Sequence, residues 1–121
     1  MVLDSNILIS YLNGEQQVIK HITDWRKAGK ALLISSISSA EVLSLPALTP
    51  TDMASIKDFL DDFIAIPFDN DLAEVTAVLR RNYGLLLPDA GIAATALANK
   101  VPLVTRDKNF KKIQEITVIE L

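Results

Sequence analysis

Four acidic residues stand where short apolar runs give way to helical patterns: Asp4 in MVLDSN, Glu41 in SSAEVL, Asp89 in LPDAGIAATA and Asp107 in LVTRDKNF. They are far apart in sequence, yet an open α/β sheet gathers strand ends of this kind along one edge. Ligands bind at that edge, outside the carboxyl ends of the strands. Carboxylates held side by side cannot all stay ionised without a counter-charge. Hard divalent cations such as Mg²⁺ or Mn²⁺ are the natural partners, because they prefer oxygen ligands. Such ions lower the pKa of bound water and polarise the groups they bind, so metal-assisted chemistry is within reach.

Each acid also has a plainer explanation. Asp4 could cap the helix that follows it, because Asp is among the best N-cap residues. Ser38-Ser39-Ala40-Glu41 fits the capping box S-x-x-E. Asp89 follows Pro88 at a helix start, where the helix dipole favours negative charge. Asp107 could cap a short turn around Phe110. Caps can equally be Ser, Thr or Asn, however, and this chain uses those residues freely. Acids at four such joints exceed what capping requires. Asp69, followed by the cap-like pair Asp71 and Glu74, is assigned to structure.

The elements that must position these residues are legible from hydrophobic periodicity. Strands are expected at Met1 to Leu3, Ala31 to Ser35, Ile64 to Phe68, Leu103 to Thr105 and Thr117 to Ile119. Pro67 puts the third of them at a sheet edge. Helices are expected from about Ile7 to Leu12, Glu15 to Ala28, Ser38 to Leu45, Thr51 to Phe63, Leu72 to Tyr83 and Pro88 to Asn99, with a short helical turn near Phe110 to Ile113. The small-residue run GIAATALA predicts a helix packed closely on the sheet. Strands alternating with helices imply an α/β fold, a three-layer α/β/α sandwich around a mostly parallel sheet of four to five short strands. The helical pair between Ser38 and Phe63 departs from strict alternation and predicts an arm that partly projects from the sheet.

The 121 residues make one domain, 1–121, and 50% apolar content suffices for a core. No run of 18 or more apolar residues indicates a membrane span, and MVLDSNILIS reads as a first strand rather than a signal peptide. The absence of Cys excludes disulfides and thiolate chemistry, and makes a reducing, cytoplasmic home the default. A lone His21 excludes a multi-histidine zinc site. The formal charge is −3; with the four acids committed to metal the remainder is −3 + 4 = +1. Arg106, Lys108, Lys111 and Lys112 cluster beside Asp107, where they could hold substrate phosphates or form a solvated basic turn.

The segments VLDSNILI, SSISSAEVL, LPDAGIAATAL and PLVTRDKNF, in that order and spanning nearly the whole chain, resemble the PIN-domain family, and within it the VapC-like toxins of prokaryotic toxin–antitoxin pairs. The resemblance implies a PIN-like fold in which Asp4, Glu41, Asp89 and Asp107 form an acidic site for Mg²⁺ or Mn²⁺. It implies that Asn6 supports the first acid and that Thr105 lines the site beside the fourth. Relatives often carry an acid where this chain has Asn109, which leaves Asp107 as the only candidate for the fourth position.

The activity so implied is metal-dependent endonucleolytic cleavage of RNA by a toxin that has a cognate antitoxin and forms a homodimer. Arg80 and Arg81 are a solvated helix face or carboxylate anchors for that antitoxin. The alternatives are of other classes. A haloacid-dehalogenase-like phosphotransferase wants a second Asp where Asn6 stands, and a receiver domain wants an adjacent acidic pair near the N-terminus. A PIN module that binds nucleic acid or protein without cutting retains no need for all four acids.

Overall fold

A computed structural model describes all 121 residues. The chain runs β1 (Val2–Leu3), α1 (Ser5–Leu12), α2 (Gln16–Lys27), β2 (Leu33–Ser35), α3 (Ser36–Leu43), α4 (Pro50–Leu60), β3 (Ile64–Ile66), α5 (Asn70–Tyr83), α6 (Leu87–Asn99), β4 (Leu103–Thr105), a 3-10 turn (Lys108–Lys112) and β5 (Val118–Glu120). The five strands form one sheet in the order β3-β2-β1-β4-β5. Every pairing is parallel, with Val2 opposite both Leu33 and Leu103, Leu33 opposite Ile64, and Leu103 opposite Val118.

This topology explains where a site can form. The chain builds outward from central β1 to β2 and β3, then crosses over to lay β4 and β5 on the other side. Connections leaving β1 and β4 therefore diverge, opening a crevice at their carboxyl ends, the switch point at which open sheets bind ligands. Asp4 follows β1 and Thr105 ends β4, so both sit at that crevice.

The strands are short and covered on both faces, which is why they read as continuous apolar runs. Successive side chains still alternate. Val2, Leu33 and Leu103 join the core beneath α5 and α6 with Leu72, Leu79, Ile92 and Phe110. Leu3, Ile34 and Val104 join the opposite core with Ile7, Leu8, Ile22, Val42, Ile56 and Phe63. These two cores make the three layers. Along α6, Ala90, Gly91, Ala93, Ala94 and Ala96 are buried, and a Cβ at Gly91 would collide with the Ile37 side chain. The small-residue run thus brings α6, and with it Asp89, close to the body of the protein.

Differences from the expected boundaries have local causes. β3 stops at Ile66 because Pro67 has no N–H to continue the ladder, and it is an edge strand as expected. Helix α4 starts at Pro50 behind a capping box in which Thr49 accepts from the Asp52 N–H and Asp52 accepts from the Thr49 N–H. Helix α3 begins at Ser36 and is capped by Ser35, which accepts from the Ile37 N–H. The α3–α4 pair is the feature that breaks strict alternation, and Val42, Ile56 and Leu60 anchor it to the core.

Candidate functional site

Asp4 is the centre of the candidate site. It is an N-cap, as its plainer reading held: Oδ1 accepts from the Ser5 N–H at 2.8 Å. Capping uses only one oxygen. The other, Oδ2, accepts the Thr105 hydroxyl at 2.7 Å, a buried bond between the ends of β1 and β4. Asp4 is 4% exposed, and burial pushes its carboxyl up to about 6. The Thr105 and Ser5 hydrogen bonds oppose that rise, while the charges of Asp89 and Glu41 add to it. Both acids lie close enough to Asp4 to be felt.

Thr105 holds the site together. Its hydroxyl donates to Asp4 and accepts from the Asn6 side-chain amide at 3.4 Å and the Asp107 backbone N–H at 3.0 Å. One donor and two acceptors are all a hydroxyl has, so Thr105 is saturated and its rotamer is pinned. Asn6 in turn accepts the Arg106 N–H at 3.4 Å. The two supporting residues expected from the sequence are therefore in direct contact, and one of them touches the first acid.

Glu41 does not occupy a capping box. Because α3 starts at Ser36, Glu41 lies within the helix, beyond reach of its N-terminal amides. Its carboxylate instead accepts the Ser5 hydroxyl at 3.1 Å, the same hydroxyl that lies 3.5 Å from Asp4 Oδ1. Asp89 falls in the first turn of α6, whose N-cap is Leu86 with no side-chain cap bond. It makes no hydrogen bond and caps nothing. Partial burial and the charge of Asp107 raise its pKa. Asp107 does cap, accepting the Asn109 N–H at 2.9 Å ahead of the 3-10 turn.

The acids thus form a chain of mutual influence, Glu41 to Asp4 to Asp89 to Asp107. No three of them close around a common point as they stand. The donor set nonetheless suits a hard divalent cation: four carboxylates and hydroxyls, with no sulfur or imidazole. Burial and like charge disfavour ionisation of Asp4, and a cation would relieve both penalties.

The neighbouring basic residues divide into two groups. The Arg106 guanidinium grips Glu15 with two nitrogens, one bond at 2.8 Å, and reaches Ser10 Oγ at 3.2 Å. Lys111 pairs with Glu120. Lys108 and Lys112 are exposed and make no ion pair. Asp69, beyond the end of the outer strand β3, caps α5 through the Leu72 N–H at 2.9 Å, a structural position as expected.

Two contributors escaped the sequence reading. Ser5 ties Glu41 to Asp4, and its place directly after Asp4 in the first helical turn was the available signal. Glu15 had no signal, because its partner lies 91 residues away.

Comparison with known proteins bears on the family and the fold. The sequence profile of the PIN domain family matches residues 1–116. A search of curated protein sequences returns no match. Among solved structures, the chain is similar to a toxin–antitoxin complex from Klebsiella pneumoniae, with 31% identity, TM-score 0.84, and coverage of 99% of this chain and 98% of that one. It is also similar to VapBC2 from Rickettsia felis bound to a DNA fragment from their promoter, with 25% identity, TM-score 0.85 and coverage of 99% and 97%. DNA-bound VapBC from Salmonella typhimurium shares the fold at 20% identity and TM-score 0.83, covering 98% and 96%. With four acidic motifs on a parallel five-stranded sheet and a family match over almost its full length, the chain belongs to the PIN domain family.

Proposed function

We propose that the protein is a Mg²⁺- or Mn²⁺-dependent endoribonuclease and the toxin member of a toxin–antitoxin pair. The observation that carries this reading is the buried Asp4 carboxyl, raised to about 6 by desolvation and by Asp89 and Glu41, at the switch point of a PIN fold. The similar proteins from Klebsiella pneumoniae and Rickettsia felis, described as a toxin–antitoxin complex and as VapBC2, support the toxin role.

In this reading Asp4 and Asp89 are the principal ligands, with Glu41 and Asp107 as flanking carboxylates that ligate or orient water. A divalent cation held there would supply an activated water and neutralise charge on the scissile phosphate. The protein's own contribution is orientation. Thr105 fixes Asp4 Oδ2, Ser5 fixes Oδ1, and Asn6 fixes Thr105, so the first carboxylate meets its ligand already aligned. Exposed Lys108 and Lys112 are the basic residues available to substrate phosphates; Arg106 and Lys111 already hold carboxylates.

The open setting of the acids supports a polymeric substrate. The most capacious hollows, about 420 and 510 Å³, are lined by residues such as Lys100 and Glu115, or Arg80 and Leu86, and none of the four acids lines either. The acids lie along an open strand edge, which suits a polymer better than an enclosed small molecule. No helix is long and apolar enough to cross a membrane. For the antitoxin, we propose the half-buried patch where Tyr11 of α1 stacks on Phe59 of α4 at 4.8 Å, beside Arg26 of α2, whose guanidinium lies 4.8 Å over the buried Phe63 ring. For a second copy of the chain, exposed Leu86 and Leu87 at the start of α6 are the apolar candidates.

The test is cleavage of RNA by purified protein: Mg²⁺ or Mn²⁺ supports it, and EDTA, Asp4→Asn or Asp89→Asn abolishes it. A second reading, a PIN module that binds without cutting, draws on the open spacing of the carboxylates. Folded, metal-loaded protein inert on a broad panel of RNAs decides for it.

A further inference from the structure

We infer that Arg106 and Glu15 are a positioning pair for the acidic site, clamping the segment that carries Thr105 and Asp107 onto the corner between α1 and α2. This rests on the reading of the four acids as a metal site. Arg106 stands between Thr105 and Asp107, the two residues of that segment that touch or influence the other acids. Its guanidinium meets both oxygens of Glu15 and also Ser10 Oγ, while its backbone N–H meets Asn6 Oδ1. One residue therefore bonds to three points on the first two helical elements.

The geometry uses what distinguishes Arg from Lys. A planar fork takes a carboxylate with two parallel bonds and fixes orientation as well as distance. Glu15 is equally committed. It sits at the N-cap of α2, makes no bond to the helix amides, and reaches Arg106 with both carboxylate oxygens. Without this contact, the loop after β4 would be tied to α1 and its cap by the long Asn6 bonds at 3.4 Å, the Thr105–Asp4 bond and a single Arg106–Ser10 bond at 3.2 Å. Contacts that orient metal ligands are typically worth tenfold or more in affinity, and this pair acts one step further out, by holding the segment that carries Thr105 and Asp107.

The experiment is Mn²⁺ binding to the full-length protein, followed by loss of the free-ion electron paramagnetic resonance signal. The variants are Arg106→Lys, Glu15→Gln and the charge exchange Glu15→Arg with Arg106→Glu, with thermal melts alongside. Arg106→Lys and Glu15→Gln should weaken Mn²⁺ binding about tenfold while the proteins stay folded, and the exchange should recover most of the loss. Amide hydrogen exchange at Asp107 and Asn109 should quicken in both single variants. Wild-type binding that both single variants match overturns the inference, and so does a loss confined to RNA affinity, which would make Arg106 a phosphate contact. Wild-type protein that binds no Mn²⁺ overturns the reading of the site itself, and the positioning role with it.

Discussion

Thr105 and Asp4 share a buried hydrogen bond of 2.7 Å across 101 residues of sequence. It joins the carboxyl ends of the two strands between which the sheet reverses its order of growth. The hydroxyl takes the carboxylate oxygen that capping leaves free, so Asp4 is oriented at both ends. Removing the hydroxyl with Thr105→Val leaves that oxygen buried without a donor, at a cost of about 1–3 kcal/mol near pH 7. Thr105→Ser should retain most of both stability and activity. Equal melting temperatures for the Val and wild-type proteins would show that the bond contributes nothing.

The raised pKa of Asp4 sets the sign of a stability prediction. Its folded value of about 6 lies above the ordinary 3.8, so the fold penalises the ionised form. The stability associated with the protonated carboxyl is fully present below about pH 4 and is lost as pH rises towards 6 and beyond. The full difference amounts to ~3 kcal/mol at neutral pH. Asp4→Asn should therefore melt several degrees higher than wild type at pH 7 in EDTA, and the gap should close near pH 4. A gap that is absent at pH 7, or that persists unchanged at pH 4, contradicts this assignment.

Divalent metal should act in the same direction. An ion that binds only the folded state at a hundred times its Kd stabilises by about 2.7 kcal/mol. Mg²⁺ or Mn²⁺ should raise the melting temperature of wild-type protein and leave Asp4→Asn and Asp89→Asn nearly unmoved. Ca²⁺ or ionic strength producing the same rise in all three would point to general screening.

Asp69 and Asp89 provide an internal contrast. Both are acids near helix starts, but Asp69 caps α5 whereas Asp89 caps nothing. Asp69→Asn keeps a capping side chain and should leave RNA cleavage within about twofold. Asp89→Asn should reduce cleavage by roughly a hundredfold or more, as expected when several kcal/mol of metal-borne stabilisation are lost. A large loss in the Asp69 variant would mean that catalysis reaches the outer edge of the sheet.

What could be read from the sequence was what is local. Apolar runs ending in Asp4, Ser35 and Thr105 located three strands, Pro67 marked the edge, and the small-residue run from Gly91 to Ala98 foretold the close packing of α6. The serine-rich stretch from Ser35 to Ser39 misled by two residues, because it holds four possible caps and only tertiary packing selects Ser35. That selection removed the capping reading of Glu41. The roles of Arg106 and Glu15 were illegible for a different reason: a side-chain pair across 91 positions leaves no periodic trace, and a basic cluster looks the same whether it faces solvent, phosphate or a carboxylate.

Whether the four acids share one cation is decided most directly by crystals soaked in Mn²⁺, with bound ions located by their anomalous signal. A shared site gives a peak coordinated by both Asp4 and Asp89, with Glu41 or Asp107 as a further direct or water-bridged ligand. Crystals with no peak at these residues, or with ions only on isolated surface carboxylates such as Asp69 or Asp24, would contradict it.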